Sequence, residues 1–188
     1  MAATSQLPTD YASVYRAWKS FRKGKHTSFS IDDFAYNLEL NLAQLSCELT
    51  SGAYIHGKYQ PVVLHEKKRR DIAVASVRDR VVHRLIYDYL ALIYDKSFDF
   101  YVWSGRKGKG LHSCLNRTQK LIQRYYDGYV WRADIMKLYD NVDHFALRSF
   151  VFSKVYRDQN AMYIIDKIID SYQHLEASQP ATVYLLVI

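Results

Sequence analysis

Between Tyr59 and Val77 the sequence leaves helical spacing and then returns to it, and this switch constrains the fold more than any other feature. Residues 59–65 (YQPVVLH) and 71–77 (DIAVASV) are β-like and are separated by EKKRR, which predicts a hairpin with four consecutive cations at its tip. Pro61 has no N–H to donate, so the first strand lies at an edge or starts there. On both sides the helical period holds. Residues 10–22 predict a short amphipathic helix followed by the basic turn RKGKH. A second helix is predicted from a Ser30 cap, with Asp33 three residues on, along the apolar face Ile31, Phe34, Ala35, Leu38, Leu42, Leu45 and Leu49, to Gly52. Residues 78–96 set Val81, Val82, Leu85, Ile86, Tyr89, Leu90 and Ile93 on one side. Further helices are predicted over 111–126, 144–157 and 160–173, and a buried strand over 129–135 (YVWRADI). Helices and strands that do not alternate regularly predict an α+β fold.

At 188 residues with 49% hydrophobic side chains, the chain can build a core without a disulfide or metal staple. Cys47 and Cys114 lack metal spacing and read as reduced, buried thiols. No apolar run approaches the roughly 20 residues of a membrane span, and the start MAATSQLPTDY has no signal-peptide pattern, so no membrane partner and a cytoplasmic location are expected. The net charge of +7 is uneven: residues 1–132 carry +9 and residues 133–188 carry −2. Its cations cluster as Arg16, Lys19, Arg22, Lys23 and Lys25; as Lys67, Lys68, Arg69 and Arg70; and as Arg106, Lys107 and Lys109. Such clusters suit a polyanion, of which nucleic acid is the commonest, or they simply solvate a surface. The 17 tyrosines serve either as stacking platforms or as core and boundary residues.

Carboxylates gather in ADIMKLYDNVDH, residues 133–144. Asp134 would emerge where a strand meets a turn, a natural position for an oxygen ligand to Mg²⁺. Asp140 and Asp143 read equally as caps of the helix that starts near His144.

Taken in order, these segments resemble the bacterial-type reverse transcriptases of group II introns, retrons and diversity-generating retroelements. The resemblance rests on Arg70-Asp71-Ile72, Val77-Arg78-Asp79-Arg80-Val81-Val82-His83, Arg106-Lys107-Gly108-Lys109-Gly110, and Asp134-Ile135 through Asp140-Asn141-Val142-Asp143-His144. It spans about Tyr59 to His144 and implies right-hand polymerase-like fingers with an incomplete palm: helices and fingers over 1–128, and a partial palm with its first catalytic strand over 129–188. The family's roles would fall on Asp134 as the catalytic aspartate, with Asp134 and the Ile135 carbonyl as ligands of two Mg²⁺ ions. Lys67, Lys68 and Arg70 would bind the incoming dNTP, and Tyr139 would stand against the sugar 2′-OH. Arg69, Arg78, Arg80, Arg106, Lys107 and Lys109 would face the RNA template and DNA primer.

The family's later segments have no counterpart here. After Gly128 there is no glycine, no Asp-Asp pair follows Asp32-Asp33, and Ser178-Gln179 stands in the wrong setting for the family's Ser-Gln segment. One carboxylate cannot hold two ions in polymerase geometry. The expectation is therefore a chain inactive alone, as a fragment, a frameshifted product or one piece of a split enzyme whose palm a second chain completes. A non-catalytic RNA-binding module using the basic fingers is the alternative. A nuclease built on Asp134, Asp140, Asp143 and His144 is a third reading, and it ignores the upstream segments.

Overall fold

The computed structural model describes residues 6–65, 69–135 and 138–171, which group into two compact units: residues 6–91 with 143–171, and residues 92–142. The position between 128 and 129 lies within the second unit.

The first unit holds the core. Helix α1 (Tyr11–Arg22) is capped by Asp10, whose carboxylate accepts from the Ser13 N–H at 3.0 Å and the Ser13 hydroxyl at 2.5 Å. These two bonds hold the Asp10 carboxyl below its usual range. Val14, Ala17, Trp18 and Phe21 line its buried face, which packs on α3 (Leu38–Ser51) through Leu42, Leu45 and Leu49. The single helix expected from Ser30 to Ser51 is in fact two, because the chain breaks at Asn37 (φ −113°, ψ 43°). Asparagine tolerates such a break, and the Asn41 amide donates to the Phe34 carbonyl at 2.9 Å, satisfying a group that the break frees. The first piece, α2 (Phe29–Tyr36), starts at a Ser28 cap position rather than at Ser30. Gly52 ends α3 in the left-handed region (φ 72°), as its position predicts.

The hairpin forms as β1 (Gln60–His65) against β2 (Arg69–Val74), antiparallel, with Pro61 opposite Ala73 and His65 opposite Arg69. Among the described residues the sheet has two strands, so both are edges, where proline is tolerated. Helix α4 (Val77–Tyr94) buries Val77, Val81, Val82, Leu85, Ile86 and Tyr89. Helices α6 (His144–Val155) and α7 (Gln159–Ser171) pair with each other, and α7 also packs on α3. Asp158, 6% exposed, joins three parts of this unit: it accepts from the Leu7 N–H at 2.5 Å, the Tyr89 hydroxyl at 3.1 Å and the Ala161 N–H at 2.9 Å. Burial, with the Asp158 charge beside it, raises the Tyr89 hydroxyl to about 12.

The second unit is built differently. It contains the end of α4, a 3-10 turn (Asp95–Ser97), α5 (Leu111–Arg124) and a second 3-10 turn (Leu138–Asn141), and no described residue in it is buried. The strand expected over 129–135 does not form; the segment is irregular, with Tyr129, Val130, Trp131 and Ile135 exposed. A strand needs a neighbour for its N–H and C=O groups, and among the described residues β1 and β2 pair only with each other. The cysteines also differ from expectation: Cys47 is exposed, off the Leu42, Leu45 and Leu49 face of α3, and Cys114 is half-buried on α5, a helix that buries no residue.

Candidate nucleic-acid interface

The arginine-rich start of α4 is anchored from within. Ser76 and Asp79 form a reciprocal cap: the Asp79 N–H donates to Ser76 Oγ at 3.1 Å, and that hydroxyl donates to Asp79 Oδ2 at 2.7 Å. The Asp79 carboxylate, 1% exposed, also accepts from the Tyr54 hydroxyl at 2.9 Å and the Gly57 N–H at 3.2 Å. Tyr54 is fully buried, and its burial, together with the Asp79 charge, pushes its hydroxyl far above the ordinary range. Asp79 therefore ties residues 54–57, which lead into β1, to the first turn of α4. The Ser76-x-x-Asp79 spacing was the available sequence signal for this hub.

A second tie lies one turn on. His56 and His83 meet through their Nε2 atoms at 2.9 Å with rings within 16° of parallel, and His56 also stacks on Tyr59 at 5.1 Å between centroids. His56 Nδ1 lies 2.6 Å from the Gly57 carbonyl. Burial, reinforced by His56, holds His83 down to about 4, so at neutral pH it is uncharged and the pair shares a single N–H···N bond. Nothing in the spacing of His56 and His83, 27 residues apart, signals this pair.

The cations read as nucleic-acid ligands occupy different settings. Arg78 pairs with Glu48 and Asp79, donates to the Ile55 carbonyl at 3.2 Å and lies 5.0 Å from the Tyr54 ring centroid. Arg80 lies over Phe21 at 5.0 Å. In the second unit, Arg106 pairs with Asp95 at 2.7 Å and donates to the carbonyls of Asp95 and Asp99, closing the 95–106 loop. That pairing lowers the Asp95 carboxyl. Lys109 donates to the Phe100 carbonyl and lies 4.2 Å and 4.8 Å from the ring centroids of Phe100 and Trp103. Lys107 is exposed. Arg69 and Arg70 open β2, opposite His65 and Leu64, with side chains outside the described part; Lys67 and Lys68 lie outside the described residues.

Asp134 is exposed, and its Oδ1 accepts from the adjacent Ile135 N–H at 2.9 Å. Asp143 caps α6, accepting from the N–H groups of Phe145 at 2.8 Å and Ala146 at 3.2 Å. The capping reading of Asp143 thus holds. Tyr139 and Asp140 sit in the 3-10 turn, with side chains outside the described part. Among the described residues no group of three or more His, Cys, Asp or Glu side chains is gathered for a metal. The described donors, one carboxylate and one neighbouring carbonyl, do not by themselves fit a two-ion centre.

In sequence, the chain is distantly similar to group II intron-encoded proteins. The match is the group II intron-encoded protein LtrA of Lactococcus lactis subsp. cremoris, and its namesake in strain MG1363, at 24% identity over 168 residues and 86% of this chain. The chain spans 27% of the length of those relatives. No family model matches the chain. Group II introns are one of the three groups whose segment order the sequence resembles.

Proposed function

We propose that this chain is a nucleic-acid-binding relative of the bacterial-type reverse transcriptases, with the β1–β2 hairpin and the 106–109 turn directed to an RNA template, a DNA primer and a dNTP. The observation that carries the reading is the similarity to the group II intron-encoded protein across 86% of the chain, which takes in the ordered segments from Tyr59 to His144. Charge supports it, since the +9 of residues 1–132 suits a phosphate backbone. In this reading Asp134 and the Ile135 carbonyl contribute to template-directed nucleotidyl transfer with Mg²⁺ only when further carboxylates join them. The chain alone binds RNA and does not extend a primer.

Two measurements test this. Binding of the purified chain to a single-stranded RNA is expected to weaken steeply with salt, by a log–log slope of about −0.7 per phosphate neutralised. Loss of Arg69, Arg70, Lys107 and Lys109 together is expected to flatten that slope; an unchanged slope refutes the assignment of these cations. Primer extension on an RNA template with Mg²⁺ is expected to be absent, and extension that Asp134→Ala abolishes would overturn the non-catalytic part.

A further inference from the structure

The first basic cluster of the sequence, Arg16 to Lys25, has no site of its own in the reading above, and it starts on α1, the helix whose first residue, Tyr11, lines a groove. On the outer side of α1, Tyr11, Tyr15 and Lys19 follow at one-turn spacing, with Lys23 next at the helix end. The Tyr11 and Tyr15 rings lie within 8° of parallel, centroids 6.4 Å apart, and are 41% and 39% exposed. Lys19 Nζ lies 5.8 Å from the Tyr15 centroid. Tyr11 also forms one wall of an open groove of about 430 Å³, whose other lining residues are Ala43, Ser46, Cys47, Thr50 and Ser51 of α3. These side chains are small and uncharged. Ser46 donates to the Thr9 carbonyl at 2.7 Å, and Thr50 and Thr9 share a hydroxyl bond at 3.0 Å.

We propose that this face of α1 and the α1–α3 groove form a subsite for an unpaired base of single-stranded RNA, with the base against Tyr11 in the groove and the strand continuing along α1 so that successive phosphates reach Lys19 and Lys23. The proposal rests on the RNA-binding reading above and adds a site to it. Stacking on an aromatic ring tolerates any base, and nearby cations hold the backbone. Charge selects the occupant: five cations between Arg16 and Lys25 have no acid among them, and Asp10, at the foot of the row, is engaged by Ser13. Within that cluster Arg16 donates to Ser13, Arg22 to the Lys25 carbonyl and Lys25 to the Phe21 carbonyl, which leaves the exposed Lys19 and Lys23 as the phosphate ligands.

Cys47 reports on the groove directly. In a Cys114→Ser chain, the rate at which a disulfide reagent such as DTNB labels Cys47 is measured alone, with a 20-nucleotide single-stranded RNA, and with heparin, which supplies charge without bases. RNA is expected to slow labelling at least fivefold and heparin to leave it nearly unchanged. RNA affinity is measured in parallel by anisotropy. Tyr11→Leu with Tyr15→Leu is expected to weaken binding at least about fivefold per stacked base lost, at unchanged salt slope. Lys19→Gln with Lys23→Gln is expected to reduce the salt slope by about 1.4. Circular dichroism checks that the variants remain folded, and the labelling result needs neither variant.

Normal RNA affinity with Cys47 unprotected would overturn this subsite while leaving the RNA-binding reading intact. Equal protection by heparin would make the face a charge-only surface and refute the base site. Protection that grows with protein concentration without RNA would assign the groove to a second copy of the chain. An absence of RNA binding by the unaltered chain would overturn both.

Discussion

Replacing Asp79 by alanine removes the acceptor on which the base of the hairpin depends. The Tyr54 hydroxyl, the Ser76 hydroxyl and the Gly57 N–H lose it, as does the Arg78 guanidinium, which keeps Glu48 and the Ile55 carbonyl. Tyr54 is 0% exposed, so its hydroxyl has no water to turn to and the penalty for leaving it unpaired is about 1–3 kcal/mol. Ser76 and Gly57 lie nearer the surface and regain water, which limits each to about 0.5–1 kcal/mol. The expected loss is about 2–5 kcal/mol, a large part of the roughly 5–15 kcal/mol that holds a folded protein together. Urea unfolding followed by circular dichroism measures it. Asp79→Asn keeps the shape and one acceptor oxygen for Gly57 and Ser76, and its amide can donate to the Tyr54 hydroxyl oxygen, so it is expected to lose less stability than Asp79→Ala. Combining Asp79→Ala with Tyr54→Phe gives a double-mutant cycle with an expected coupling of about 1–2 kcal/mol. A loss below 1 kcal/mol for Asp79→Ala, or zero coupling to Tyr54, would refute the hub.

Three further outcomes follow from neighbouring contacts. Gly57→Ala sets a Cβ 2.9 Å from Asp79 Oδ2 and is expected to cost about 1–3 kcal/mol in the same urea assay; a neutral change would show that this carboxylate can move. His83 is expected to make stability pH-dependent, because the unfolded chain takes up a proton near pH 6.5 that the folded chain refuses until about pH 4. Stability from this group is complete above pH 6.5 and lost as pH falls toward 4, by about 1–2 kcal/mol after allowance for its partial exposure. His83→Gln is expected to flatten that part of the profile, and parallel profiles for the two chains would rule the linkage out. Asp143→Ala is expected to remove about 1 kcal/mol by uncapping α6, without changing Mg²⁺ affinity measured by calorimetry; a drop in affinity would make Asp143 a ligand rather than a cap.

The sequence by itself determined the elements whose signals are local. The β-branched runs around KKRR, the apolar row of α4 and Gly52 after α3 act through nearest neighbours, and each formed where its spacing placed it within a few residues. The motif order that resembles reverse transcriptases was legible for the same reason, being a property of the chain in line. Only the tertiary structure decided which partners those residues take. Arg78 and Arg106 have the charge of nucleic-acid ligands, yet Glu48, Asp95 and backbone carbonyls engage them inside the protein. Residues 129–135 have the composition of a strand, but a strand is a pairing between segments, and no described segment pairs with them. The Asp79 hub, the His56–His83 bond and the Tyr11–Tyr15 face beside the α3 groove join residues through burial and geometry. A charge or a ring in the sequence states what a residue can bind; the packing around it states what remains within its reach.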